Sequence, residues 1–302
     1  MAYFGRILVA VDGSEAAGKA LVRAAQSARA LGMRLHLVSV AEMPFIPDIS
    51  VGGILGDMGA YQEGLEEMLA EAAAEAAEHG AEVEDSVVLQ GSPAEAIVDR
   101  AERVGYDYIV LGRRGKGLPM RFRLGSTTHK VVAYAPCAVV VVPREEDTRS
   151  NLRRMLVATD GSEAAEKAVG RAIQLARAFD KELHLLAVAQ GVPDAARGAM
   201  RAAYEQQREM LARLVERDVK WAESEGVEVV DGRVLEGNPA DALLWDIEEV
   251  GYDFAVLGRR GGGLSSRFRL GSTTHKLISY APCKIVVVTP KDPWRLERRG
   301  EG

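Results

Sequence analysis

The sequence has 302 residues, of which 47% are hydrophobic, so it is long enough for two domains that each build a core. Its formal net charge of −6 argues against a protein that binds nucleic acid over its whole surface. The apolar runs fall short of the roughly 20 residues that a membrane span needs, and the first run carries no signal-peptide cleavage pattern. We therefore expect a cytoplasmic protein that contacts neither nucleic acid nor membrane.

The first half of the chain alternates short apolar runs with helical stretches. Capping residues predict where helices begin: Ser14 before an alanine-rich stretch, Ser92 before Pro93, and Ser126 at the last helix. Runs such as Ile109–Leu111 lack polar alternation, which is typical of parallel strands covered on both faces. This order predicts a doubly wound α/β domain. Its strands are expected at about 6–12, 34–41, 83–89, 107–112 and 138–143.

The segment between the second and third predicted strands is unusual. Pro44–Tyr61 is rich in glycine and apolar residues and predicts a long loop. The apolar part, Phe45–Met58, either covers a ligand or contacts a partner, and a loop that packs on its own domain is the alternative. The corresponding segment of the second half, from Gly191, is more polar and predicts entry into a long helix at roughly 195–225.

The second half repeats the first after about 147 residues, an interval too long for a solenoid repeat and suited to a duplicated domain. Arg6–Glu15 returns as Arg154–Glu163, and Arg121–Lys130 returns as Arg267–Lys276. The polar segment Arg144–Asn151 predicts the linker. We expect one domain at 1–146, a second at 152–291, and a charged tail at 292–302.

Each half carries one glycine pattern after its fourth predicted strand. In the first half Gly112, Gly115 and Gly125 are followed by Ser126 and Thr127. Glycines let the backbone approach a ligand closely, and the start of a helix offers N–H groups and a partial positive charge. The pattern therefore predicts a phosphate-binding turn in each half. The second copy consists of Gly258, Gly261, Gly271, Ser272 and Thr273.

Basic residues surround both glycine patterns. No acidic residue occurs between Tyr108 and Arg144, or between Phe254 and Lys291. Local positive charge on an acidic chain favours a polyanionic ligand, and a solvated basic face is the alternative. The basic residues are Arg113, Arg114, Lys116, Arg121 and Arg123 in the first window, and Arg259, Arg260, Arg267 and Arg269 in the second.

One aspartate ends the first apolar run of each half, Asp12 and Asp160, and precedes Gly-Ser. Such a carboxylate could contact the base or ribose of a nucleotide. The alternative is a helix cap, a role that Ser14 and Ser162 could also fill.

The histidines and cysteines predict no reaction centre. His129 and His275 follow the Gly-Ser-Thr segments and are expected at the surface or in packing. Cys137 and Cys283 each follow Ala-Pro and predict buried thiols. The sequence contains no metal-ligand spacing, nucleophile elbow, P-loop or dinucleotide fingerprint, so we expect a slow ATPase at most.

These landmarks together resemble the universal stress protein family in its tandem form, over about 3–145 and 152–290. The V-A-V-D-G-S opening, the pattern G-x2-G-x9-G-[ST] and the Ala-Pro-Cys segment carry the resemblance. It implies two five-stranded parallel sheets of order 3-2-1-4-5, flanked by helices, in the adenine nucleotide alpha-hydrolase-like fold. It also implies that the halves pair through their last strands, Ala138–Val142 antiparallel to Lys284–Val288, and that two chains can form a homodimer.

The resemblance further implies an ATP site in each half, with magnesium as an optional companion of the nucleotide. The glycines and hydroxyls hold the phosphates, the aspartate contacts the nucleoside, and Val40 and Val188 lie against the base. The expected site residues are Ala10, Asp12, Val40, Leu111, Gly112, Arg113, Gly115, Gly125, Ser126 and Thr127, and in the second half Ala158, Asp160, Val188, Leu257, Gly258, Arg259, Gly261, Gly271, Ser272 and Thr273.

We therefore expect an ATP-binding stress-response protein that acts as a nucleotide sensor or signalling module. The alternatives are a slow ATPase and a protein that binds AMP or a cyclic nucleotide. Thr159 replaces the valine before the aspartate, and Ser265 replaces Pro119, so the affinities of the two sites are expected to differ.

Overall fold

A computed structural model describes residues 5–42, 54–116, 123–145, 153–191, 197–262 and 269–292. The chain divides after Arg144 into two compact units, and the described strands and helices of each unit form an α/β domain. Among these described residues, no helix combines the length and the apolar character needed to cross a membrane.

The first unit has a parallel sheet with strand order β3-β2-β1-β4-β5, the order that the resemblance implies. Its elements are β1 (Arg6–Ala10), α1 (Glu15–Leu31), β2 (Arg34–Ala41), α2 (Ile54–Glu78), β3 (Val83–Gln90), α3 (Pro93–Val104), β4 (Tyr108–Gly112), α4 (Ser126–Tyr134) and β5 (Ala138–Val142).

The second unit repeats this architecture with strand order β8-β7-β6-β9-β10. A π-helical segment, Ile247–Gly251, directly follows its third helix. Its elements are β6 (Arg154–Ala158), α5 (Glu163–Phe179), β7 (Glu182–Ala189), α6 (Ala199–Ser224), β8 (Val229–Glu236), α7 (Pro239–Asp246), β9 (Phe254–Gly258), α8 (Ser272–Tyr280) and β10 (Lys284–Val288).

The central strands are buried on both faces, as their unbroken apolar runs predict. Ile7, Leu8 and Val9 of β1 are at most 1% exposed. The chain leaves β1 toward β2 on one side, while β4 pairs with the other side of β1. In a doubly wound sheet the ligand crevice lies outside the carboxyl ends of two such strands. The fold therefore places the residues that follow β1 and β4 beside each other.

The predicted helix starts are confirmed. The Oγ atom of Ser14 accepts a hydrogen bond from the backbone N–H of Ala17 at 3.2 Å. Pro93 and Ser126 are the first residues of α3 and α4. The side chain of Ser92 makes no capping hydrogen bond. The start of α3 is therefore favoured by the proline at its first position and not by a serine cap.

The prediction of a loop up to Tyr61 is wrong, because α2 begins at Ile54. Gly59 is one of the glycines that suggested a loop, yet a Cβ atom there would meet nothing within 4 Å. A helical glycine costs about 1 kcal/mol relative to alanine, and the alanine, glutamate and leucine residues that follow can offset that amount. Residues 43–53 lie outside the described part of the chain, as does the apolar loop predicted there.

The sequence suggested a charged tail that begins at Asp292, but Asp292 belongs to the folded second unit. The side chain of Asp292 is 1% exposed and forms an ion pair with Arg171, whose side chain is buried to the same degree. A buried carboxylate with a buried guanidinium partner belongs to the folded unit. Residues 293–302 lie outside the described part of the chain.

Candidate functional site

Each unit has a cavity at the carboxyl ends of its central strands. The volume is about 400 Å³ in the first unit and about 470 Å³ in the second. Both values fall within the range of small-molecule sites. The first cavity lies between the ends of β1, β2 and β4, the first turn of α4, and side chains from α1, α2 and α3.

The expected site residues of each half converge on its cavity, with one exception. In the first unit the cavity is lined by Ala10, Asp12, Val40, Leu111, Gly112, Gly115, Gly125, Ser126 and Thr127. In the second it is lined by Ala158, Asp160, Val188, Leu257, Gly258, Gly261, Gly271, Ser272 and Thr273.

The exception is the arginine that directly follows β4 in the first unit and β9 in the second, Arg113 and Arg259. Neither lines the described cavity, whereas the next residue, Arg114 or Arg260, does. The backbone N–H of Arg113 donates to the carbonyl of Val142 at 2.8 Å and so continues the pairing of β4 with β5.

The first glycine of each pattern is required by packing. A Cβ atom at Gly112 would lie 2.8 Å from the backbone carbonyl carbon of Ala16, and one at Gly258 would lie equally close to that of Ala164. Real Cβ atoms do not approach backbone this closely. Helix α1 therefore packs against the end of β4 only because residue 112 has no side chain.

The second glycine lies against the aspartate. A Cβ atom at Gly115 would come within 2.1 Å of Oδ2 of Asp12, and one at Gly261 within 2.2 Å of Oδ2 of Asp160. The glycine thus leaves room for a carboxylate inside the turn.

Asp12 joins the two turns that border the cavity. Its Oδ1 atom accepts from the backbone N–H of Ser14 at 2.9 Å, and its Oδ2 atom accepts from the backbone N–H of Lys116 at 3.0 Å. This second bond spans 104 residues, so no local pattern in the sequence indicates it. A carboxylate oxygen has two lone pairs, so Asp12 retains the capacity to accept a bond from a ligand hydroxyl. Asp160 repeats both bonds, with Ser162 and Gly262.

The start of α4 differs from that of α1. The N-cap residue is Gly125, which has no side chain that could accept from the first N–H groups of the helix. Ser126 and Thr127 line the cavity from this first turn. The hydroxyl of Thr128 donates to the carbonyl of Gly112 at 2.9 Å and fixes the helix start beside β4. The arrangement suits an anion, and α8 repeats it, with Thr274 and Gly258.

The electrostatics of the second glycine turn also favour an anion. Burial lowers the pKa of Arg259, and the nearby positive charges of Arg269 and Arg260 lower it further. Three guanidinium groups thus lie close enough to repel one another. Of these three, Arg260 lines the cavity, so its guanidinium is placed to donate to a bound phosphate.

The opposite side of each cavity is apolar. In the first unit Val38 and Val40 of β2 line it together with Leu65 of α2 and Ile97 of α3. The α2 and α3 contributions were not predicted, since helix positions far apart in sequence reveal no shared cavity. Tyr61, which we assigned to a loop, also lines the cavity from α2. The corresponding residues of the second cavity include Leu186, Val188, Leu211 and Leu243.

Thr159, noted as a departure from the first half, has a structural partner. Its hydroxyl donates to Oδ2 of Asp218 on α6 at 3.2 Å. Asp218 is fully buried, and Arg217 donates to its other oxygen at 2.8 and 2.9 Å. The hydroxyl at 159 therefore helps to satisfy a buried carboxylate that the first half, with Val11 and Ala72 at the corresponding positions, does not contain.

The cysteines and histidines agree with their predicted placement. Cys137 and Cys283 are buried, whereas His129 and His275 are exposed. Within the described ranges, no three His, Cys, Asp or Glu side chains come together in a group that could hold a metal ion.

Comparison with known proteins covers both units. The model of the Universal stress protein family matches residues 4–143 and 151–289. A universal stress protein of Mycolicibacterium smegmatis is 29% identical over 297 residues, which cover 94% of this chain and 97% of the relative. A universal stress protein of Thermus aquaticus is 41% identical over 143 residues, covering 46% of this chain and 98% of the relative.

A solved structure supports the fold along the whole chain. The crystal structure of a universal stress protein from Archaeoglobus fulgidus covers 94% of this chain, which in turn covers 96% of that protein, with a TM-score of 0.71 and 23% sequence identity. At this identity the likeness concerns the fold.

Proposed function

The chain belongs to the universal stress protein family, and we propose that each of its two units binds one adenine nucleotide, ATP in particular. The chain would then act as a sensor whose conformation reports nucleotide occupancy rather than as an efficient enzyme.

One observation carries this proposal: a single cavity joins an apolar side to a helix start that suits an anion. Adenine stacks favourably on branched apolar side chains such as Val40. The N–H groups that follow Gly125, the hydroxyls of Ser126 and Thr127, and the guanidinium of Arg114 suit phosphate oxygens. Asp12 lies at the end of β1 between the two regions and would accept from a ribose hydroxyl.

The arrangement of the carboxylates in the site fits a protein that binds a nucleotide without hydrolysing it quickly. Both carboxylate oxygens of Asp12 already accept from backbone N–H groups, so this side chain holds the two turns together and is not positioned to activate a water. The described glycine turn offers hydroxyls but no carboxylate, so magnesium would reach the site on the phosphate oxygens of the nucleotide and on water. Both features favour a sensor over an ATPase.

The proposal is tested by mass spectrometry of the small molecules released from the denatured protein, with the nucleotide quantified per chain. We expect close to two ATP per chain. Release of ADP would instead support the slow ATPase, and release of AMP or a cyclic nucleotide would support that alternative ligand. A chain that releases no nucleotide and takes up no added ATP would contradict the proposal.

A further inference from the structure

The two cavities differ in charge directly after the second glycine. Lys116 follows Gly115 in the first unit, whereas Gly262 follows Gly261 in the second. The backbone is the same at both positions, since each N–H donates to the aspartate, at 3.0 Å from Lys116 and 2.9 Å from Gly262. The difference between the two turns at this point is thus a side chain that ends in an ammonium group.

The ammonium of Lys116 lies beside the turn that follows β1. A Cβ atom built on Gly13 would be 2.6 Å from Nζ of Lys116 and 3.0 Å from the sulfur of Met68. The lysine side chain therefore extends from the glycine turn across to the turn that follows β1, beside Met68. Lys116 itself lines the cavity, so its flexible side chain can bring the charge to a phosphate bound there.

The other charged lining residues do not remove this difference. Arg114 and Arg260 correspond to each other, as do Asp12 and Asp160. Glu42 lines the first cavity where Gln190 lines the second, but it directly follows β2, whose Val38 and Val40 form the apolar side. Its effect therefore falls on the nucleoside, which ATP and AMP share.

We propose that Lys116 makes the first site selective for nucleotides with a longer phosphate chain, ATP over AMP, and that the second site binds the two more equally. This inference rests on the proposed function. The Coulomb attraction of an ammonium grows with the charge of the ligand, and ATP carries about two more negative charges than AMP. A charge-assisted hydrogen bond to phosphate corresponds to roughly a tenfold change in affinity.

The test compares each site alone. Gly271→Val leaves the first site and Gly125→Val leaves the second, and calorimetry gives the ratio of the dissociation constants for AMP and ATP. In the first site Lys116→Met should lower this ratio roughly tenfold while the AMP constant changes little. In the second site Gly262→Lys should raise the ratio. Gly262→Met is its matched control, with a long side chain but no charge, and should not raise it.

The exchange at residue 262 is sterically permitted. A Cβ atom there would meet only Cβ of Ser162, at 4.0 Å, and the backbone is not left-handed. If the valine variants do not fold, a two-site fit of the full chain replaces them. In that fit Lys116→Met should bring the two ATP constants together.

Two results would overturn the inference and separate it from the proposed function. If both sites bind ATP and AMP, but Lys116→Met changes the two affinities equally or not at all, only the selectivity of Lys116 is wrong. If the wild-type chain binds neither nucleotide at either site, the proposed function fails and this inference fails with it.

Discussion

The Oδ2 atom of Asp12 accepts a hydrogen bond from the backbone N–H of Lys116 at 3.0 Å, so a residue that follows β1 holds the glycine turn that follows β4. Asp160 makes the same bond with Gly262 at 2.9 Å. The aspartate therefore positions the turn in addition to any contact it makes with a ligand. Two roles in one carboxylate make it a sensitive point for mutation.

Asp12→Ala should weaken ATP binding at the first site roughly tenfold, because a hydrogen bond to a charged group contributes about 1.5–3 kcal/mol when buried and less at this exposed position. Hydrogen exchange of the Lys116 amide should accelerate as well. Calorimetry and exchange mass spectrometry measure the two effects. Glu15→Ala is the control, since it removes a nearby carboxylate that lines neither cavity. Wild-type exchange at Lys116 in Asp12→Ala would contradict the positioning role.

Gly125→Val should reduce nucleotide stoichiometry from two to one per chain. A Cβ atom at Gly125 would lie 3.3 Å from the carbonyl oxygen of Arg113 and 3.4 Å from Cα of Arg114, so the branches of valine must extend into the cavity. Gly271→Val should have the same effect on the second site. Bound nucleotide per chain, measured after gel filtration, decides the outcome.

The matched control for these valine variants is Gly64→Val on α2. A Cβ atom there would meet nothing within 4 Å, and its stoichiometry should stay at two. Thermal unfolding of all three variants shows whether they are folded. Unchanged stoichiometry in folded Gly125→Val would mean that this glycine serves structure alone.

The stability of the second unit should fall as the pH drops through about 6.5, the ordinary pKa of histidine. Burial, followed by the charge of Arg154, lowers the pKa of His184 in the folded chain. The unfolded chain therefore binds a proton at a higher pH than the folded chain does, and folding loses free energy below that point. Above it the contribution is complete. Urea unfolding between pH 5 and 8 measures the effect.

A single substitution tests this explanation. In the first unit Nε2 of His36 lies 2.9 Å from a carboxylate oxygen of Glu84, whereas Nε2 of His184 is buried and has no hydrogen-bond partner among the described residues. Val230 occupies the position that corresponds to Glu84. Val230→Glu should raise the pKa of His184, measured by NMR titration, and reduce the loss of stability in acid. A pKa of His184 at or above 6.5 in the wild type would contradict the prediction.

Asp292→Ala should destabilise the second unit by about 3–5 kcal/mol, because it leaves the buried guanidinium of Arg171 without its carboxylate. Arg153→Ala is the control. It removes the arginine of an exposed ion pair with Asp180, which should contribute less than about 1 kcal/mol. Thermal and urea unfolding compare the two. Equal effects would mean that burial does not strengthen the Arg171 pair.

Much of the fold could be predicted because the signals are local and occur twice. The apolar runs give the strands, and the serines and prolines give the helix starts. The glycine pattern located both cavities because the carboxyl ends of parallel strands share one edge of the sheet. The resemblance, rather than spacing, supplied the strand order.

Other features depended on contacts between distant residues. Arg114 rather than Arg113 lines the first cavity, and the backbone N–H of Arg113 still pairs with β5. The roles of Tyr61 and Leu65 required knowing that α2 begins at Ile54. Asp292 looked like part of a charged tail because its partner lies 121 residues earlier. The ATP ligand, the pairing of the two halves, the homodimer and the cytoplasmic location stay predictions.

The close approach of α1 to β4 has a consequence for how such signatures are used to infer binding. Gly112 is required by the backbone of Ala16, whether or not anything occupies the cavity. A domain that keeps this packing therefore needs the first glycine even with an empty cavity, whereas a Cβ atom at Gly125 would meet the nearest backbone atom at 3.3 Å and is less strictly excluded. Of the two, the third glycine is therefore the more informative position when a sequence is used to infer binding.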